Sequence, residues 1–254
     1  MNEQTTQEKN WRRGRFPMWA KMLVAVAVVL LFSLVFFRVK TFEVSGNVRY
    51  SQEEVAEASG VTQGDILMAV NKVRAASRIL TKLPYVEQVE ISKEMPGTIR
   101  IDVVECSALV MAQSEFSASW LLSSSGKLLE KLPNTDSAGT SGYPLIKGTV
   151  LTLPTSGGQA EFDDAEKGKL AMELAQEIQD AGLSNSITEI NVSDLTNVKL
   201  QYGSNLRVEL GDGSDGAYKL KYLQAVLPQL SGDSRGVLDL SFAQGEQAVF
   251  HPLT

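Results

Sequence analysis

The chain has almost no means of cross-linking itself. Its 254 residues include one cysteine, Cys106, and one histidine, His251. A lone cysteine makes no intramolecular disulfide, so folding must rest on ordinary cores, and Cys106 reads as a buried small hydrophobe. One His, one Cys and scattered acids offer no zinc-ligand spacing. A serine–histidine–acid triad would have to draw on His251 within Phe250-His251-Pro252, and no G-x-S-x-G elbow accompanies it. Carboxylates abound, but no spacing singles out a pair for acid–base work. Acids outnumber bases beyond the N-terminus: the formal charge is −6, of which the first 21 residues carry +3 and the remainder −9. A surface so acidic lacks the basic patch that nucleic acid requires. No catalytic residue, cofactor or metal is expected.

What is present is a long apolar run. From Pro17 to Phe37 the sequence reads PMWAKMLVAVAVVLLFSLVFF, free of charge after Lys21. Roughly 20 apolar residues cross a bilayer core as a helix, so 17–37 is expected to be a transmembrane helix behind a basic tail, 1–16. Arg12, Arg13, Arg15 and Lys21 form the topology signal that places this tail in the cytoplasm and the large remainder outside. The rival reading, a cleaved signal peptide, needs a shorter apolar region ending at a small-x-small site. Here the run leaves through Leu34-Val35-Phe36-Phe37-Arg38.

Directly after the span, Val39 to Val44 alternates apolar and polar residues as a half-buried strand does. Ser51 and Glu54 form a capping box for a short helix that Gly60 closes. Gly64-Asp65 opens a second helix through Lys82, with Val70, Val73, Ala76, Ile79, Leu80 and Leu83 on one face and Pro84 as its stop. Val86 to Ile91, the Met95-Pro96-Gly97-Thr98 turn and Ile99 to Val103 give a hairpin. The order is βααββ.

From Ser107 onward, short β-like runs dominate. Strands are expected at 108–111, 120–122, 127–129, 187–192, 198–202, 206–210, 237–242 and 247–250, with loops at 133–142 and 155–159. A helix is expected over Asp163–Ala181, where acids favour the N-terminus and Gly182 ends it. A second is expected around 217–227. Gly211 to Gly216 spells G-x-G-x-x-G, but Asp212 and Asp215 would stand where a pyrophosphate must meet backbone amides. A calcium loop of the EF-hand type would need Glu where Leu223 stands. A polar turn is the favoured reading. The final strands offer a free sheet edge, able to accept a partner segment by strand addition. Phe242, Val249 and Phe250 are its candidate partner-binding residues. For the two Phe rings, core packing is an equal reading.

The pattern VKTFEVSGN, GDIL and LPYVEQVEISKEMPGTIRIDVVE resembles a POTRA domain, and the chain as a whole resembles the FtsQ/DivIB family of bacterial cell-division proteins. ITEINVSDLTNVKLQYGSNLRVELG followed by GVLDLSF is similar to that family's larger β domain. The resemblance implies an α+β chain: tail, transmembrane helix, POTRA domain over 38–106 and a mixed β domain over 107–254 with an exposed C-terminal sheet edge. It also implies a non-enzymatic divisome protein of the cell membrane and division septum, with an extracytoplasmic C-terminal domain. Its expected partners are bitopic coiled-coil proteins of the FtsB/DivIC and FtsL types and, through them, the septal peptidoglycan synthase. A POTRA-type chaperone or translocation component would show several POTRA repeats or a barrel. An anchored cell-wall hydrolase would show a catalytic cluster.

Overall fold

The computed structural model describes residues 18–133, 142–230, 235–241 and 248–252, with the side chains of residues 29, 30, 33, 34 and 35 set aside. The chain opens with helix α1 (Met18–Phe36), whose side chains are exposed on every face described, among them Met22, Leu23, Val26 and Phe32. Among the described residues no helix is long and apolar enough to cross a membrane. The expected span over 17–37 is thus seen as a helix and not as a crossing.

The first globular unit runs β1 (Thr41–Ser45), α2 (Gln52–Ser59), α3 (Lys72–Lys82), β2 (Val86–Glu94) and β3 (Thr98–Glu105). Ser51 and Glu54 satisfy each other's backbone N–H groups as a capping box, and Gly60 ends α2 in the left-handed region at φ 68°. The second helix differs from expectation. Its first part is only a 3-10 turn, Leu67–Ala69, and Asn71 caps a fresh start at Lys72 by accepting from Arg74 N–H. This restart rotates the helix, so Ala75 and Ile79 face the core while Val73 stands 80 % exposed. The sheet order is β1-β3-β2, with β1 parallel to β3. Leu67, Ile79, Ile99 and Ile101 are fully buried beneath the helices, each worth about 1.5–3 kcal/mol of transfer free energy.

Among the described residues the second unit is one sheet of nine strands. Its strands are β4 (Ala108–Ser114), β5 (Ser119–Ser123), β6 (Leu128–Lys131), β7 (Leu145–Leu151), β8 (Ile187–Asn191), β9 (Val198–Tyr202), β10 (Leu206–Gly211), β11 (Gly236–Asp239) and β12 (Val249–Pro252). Their order is β12-β11-β10-β9-β8-β7-β4-β5-β6. Helices α4 (Ala165–Asp180) and α5 (Gly216–Val226) pack on one face, over Val110, Leu122, Ile146, Ile190 and Val208. Asp164 caps α4 by accepting from two backbone N–H groups, and Gly182 follows it at φ 69°. The opposite face of β8 to β10 is wet and carries ion pairs such as Lys199–Glu209 at 3.3 Å.

Gly211 to Gly216 is the polar turn expected. Asp212 accepts from Ser214 N–H and hydroxyl at 2.9 and 2.6 Å, and these bonds hold its carboxyl below the usual range. The backbone amide there is already satisfied by an acid.

At the β6 end, the opposite face of β4 to β6 meets the first unit. Met111, Leu121, Leu129 and Tyr85 form a small shared core, and the Arg49 guanidinium lies 3.8 Å over the Tyr85 ring. Burial, followed by the Glu130 carboxylate, pushes the Tyr85 phenol up to about 12. Lys127 reaches across with its ammonium to the carbonyl oxygens of Leu80 and Val86, at 3.2 and 2.5 Å. Cys106 is half-buried here and not fully buried as expected; its thiol donates to Tyr85 O at 3.4 Å. Burial, then Glu87, raises the thiol's pKa.

Candidate functional site

The feature best suited to recognise another molecule is the β12 edge. This strand pairs only with β11, antiparallel, setting Val237 opposite His251, Leu238 opposite Phe250 and Asp239 opposite Val249. Among the described residues no strand lies beside its other side, the arrangement on which strand addition depends. Pro252 lacks an N–H and so limits the length a guest strand could pair with.

The alternation along β12 separates the roles of its side chains. Phe250 is half-buried and packs against the main core of the large sheet. It settles there because β11 begins with Gly236: a Cβ at that position would stand 2.6 Å from the Phe250 ring and 2.5 Å from the carbonyl oxygen of His251. Of the two readings left open for this ring, core packing therefore accounts for part of it, with the remainder accessible at the edge. Val249 is 49 % exposed, and His251 and Pro252 are exposed beside it. Asp239 caps the end of β11 by accepting from Ser241 N–H at 2.9 Å. Its carboxyl lies below the usual range, through the Ser241 hydroxyl and N–H first and the nearby His251 last.

Phe242 lies outside the described residues, as do Arg12, Arg13 and Arg15. Lys21 is exposed on α1. The structure thus brings Val249 and Phe250 together on one short strand. Sequence reasoning passed over Gly236, whose missing side chain seats Phe250, and over Lys127, whose buried ammonium joins the two units. The first signal was legible as a Gly heading a β-like run. The second had no local signal, because its acceptors lie more than 40 residues away. Among the described residues, no group of acids, His and Cys could hold a metal ion.

Two family models cover most of the chain. One, described as POTRA domain, FtsQ-type, matches residues 37–105. The other, described as Cell division protein FtsQ/DivIB, C-terminal, matches residues 110–241. β12 lies just beyond the second match. Resemblance over most of the chain is also found to curated proteins. Cell division protein DivIB of Clostridium acetobutylicum is 26 % identical over 231 residues, covering 86 % of this chain and 85 % of the relative. Cell division protein DivIB of Bacillus subtilis is 23 % identical over 252 residues, covering 96 % and 86 %. Cell division protein FtsQ of Corynebacterium glutamicum is 24 % identical over 208 residues, covering 81 % and 86 %. With both of its globular units matched in the family's order, the chain belongs to the FtsQ/DivIB family of cell division proteins.

Proposed function

We propose that this is a single-pass divisome protein that acts by binding and not by catalytic turnover. Its β12 edge takes up a segment of a small bitopic partner of the FtsB/DivIC type, with an FtsL-type protein in the same complex. Through them it recruits or regulates the septal peptidoglycan synthase. The observation that carries this reading is the free edge at β12, with Val249 exposed on it and Phe250 rooted in the core. Strand addition needs an edge held in place, and an aromatic anchored beneath the strand supplies that.

The same reading assigns 1–16 to the cytoplasm, 17–37 to the membrane, and the globular units to the outside at the division septum. In its support, α1 has 19 residues, a length of about 28 Å at ~1.5 Å per residue, and it exposes apolar side chains on its described faces. A helix apolar all round requires apolar surroundings. Arg12, Arg13 and Arg15 precede it and Lys21 lies in its first turn, against few cations immediately after it.

The test is site-specific photo-crosslinking from Val249 in the full-length, membrane-bound protein of dividing cells. Capture of a small bitopic division protein, lost when Phe250→Ala is added, is the expected result. Undiminished partner recovery without any adduct at Val249 would place the interface elsewhere. A fluorescent fusion spread evenly around dividing cells would overturn the division role.

A further inference from the structure

We propose that the end of the POTRA domain around Arg38 is a lipid-facing surface that lies on the anionic headgroups of the bilayer. The proposal rests on the reading of α1 as a membrane span. The domain hangs from that helix without a linker. Phe37 O accepts from Leu67 N–H at 2.9 Å, Val39 N–H donates to Asp65 O at 2.8 Å, and Lys40 N–H donates to Gly97 O at 2.7 Å. Both the 64–69 segment and the β2–β3 hairpin tip are therefore fastened within four residues of the helix end. Their height above the bilayer is set by backbone hydrogen bonds, and at that height the neighbouring medium is the headgroup layer.

The side chains fit that medium. Met68 is 63 % exposed, Met95 68 % and Ile66 36 %, apolar groups that present surface at this end. Exposed cations stand among them: Arg38, which also donates to Gly64 O at 2.9 Å, and Lys40, whose ammonium lies 5.4 Å from the Phe36 ring. Apolar groups that dip between headgroups, rimmed by cations that bind them, are the pattern of interfacial attachment. Of the acids at this end, Asp65 has its carboxylate engaged by Thr62 N–H at 2.9 Å, and Glu94, beside Met95, is paired with Arg100 at 3.1 Å. The opposite end of the domain gives an internal comparison. Val48 is 92 % exposed there, and the adjoining Arg49 N–H is held by Glu105 at the far end of β3, roughly 23 Å from the hairpin tip at ~3.3 Å per residue.

The experiment uses the full chain carrying Cys106→Ala, reconstituted in nanodiscs of phosphatidylcholine with phosphatidylglycerol. Single cysteines replacing Val26, Val48, Met68 or Met95 carry a nitroxide, and relaxation by oxygen is compared with relaxation by a water-soluble nickel chelate. Expected is a hydrocarbon signature at Val26, water at Val48, and an interfacial one at Met68 and Met95. The oxygen-to-nickel ratio at the last two should be at least twofold above Val48 and should fall when Arg38 and Lys40 are both changed to Gln. If Met68 and Met95 match Val48 while Val26 reports hydrocarbon, the span stands and the lipid-facing surface is overturned. Shielding of both labels from both reagents would mean a protein contact and would also overturn it. A water signature at Val26 would overturn the span and this inference together.

Discussion

The ammonium of Lys127, in the β domain, donates to the carbonyl oxygen of Val86, in the POTRA domain, at 2.5 Å. With Leu80 O as its second acceptor, this nearly buried cation satisfies two carbonyl oxygens that face the boundary. Hydrogen bonds from a charged donor are the stronger kind, and leaving their buried acceptors unpaired adds a cost. Lys127→Met keeps most of the stem's packing and removes both bonds. It should destabilise the two globular units by about 2 kcal/mol and raise amide exchange at the 80–86 segment more than in β8 to β10. Urea denaturation with hydrogen-exchange mass spectrometry checks both.

Gly236→Ala should detach β12 selectively. The added Cβ would need to displace the Phe250 ring or the backbone at His251, and overpacking of this kind costs about 1–3 kcal/mol. Loss of amide protection at residues 249–251, with the global denaturation midpoint little changed, is the expected signature. Partner capture from Val249 should fall in parallel.

Ser51→Ala removes the acceptor of Glu54 N–H and half of a reciprocal cap. Such caps contribute about 1 kcal/mol. The POTRA transition should shift by that amount, while the second unit melts as before; circular dichroism of the intact chain would show it.

Asp163 binds the Thr149 hydroxyl at 2.6 Å and Val150 N–H at 2.9 Å, tying the end of β7 to the entrance of α4. These bonds, Thr149 first, hold its pKa below the ordinary 3.8. A depressed carboxylate contributes stability that is fully present above its unfolded value and is lost as pH falls through its folded one. Asp163→Asn should therefore be less stable than the parent near neutrality, with the gap closing as pH drops below 3.8. Denaturant midpoints across a pH series would reveal a constant gap if the assignment were wrong.

Local rules carried much of the architecture. The Ser51–Glu54 cap, the Gly60 stop, the hairpin around Gly97 and the α4 boundaries all depend on residues within a few positions of one another. The break at Asn71 was hidden because an apolar period continues across it, although Asn is itself a strong cap. What no local pattern contained was the pairing order. β4 lies beside β7, and β10 beside β11, in parallel pairs with long connections between them. The candidate site was visible as a last strand with an aromatic. That Phe250 is anchored and Val249 offered depended on Gly236, a residue of a different strand.

The nine-strand order puts the POTRA junction at β6 and the free edge at β12, on the order of 40 Å apart at ~4.8 Å per strand. A partner pulling on β12 in the plane of the sheet loads its ladders one after another, as a zipper is opened. The outermost ladder, four residues long, would part before the load reached Lys127. The edge is thus a mechanical fuse: under in-plane tension it parts first, while the unit joined at β6 keeps its shape.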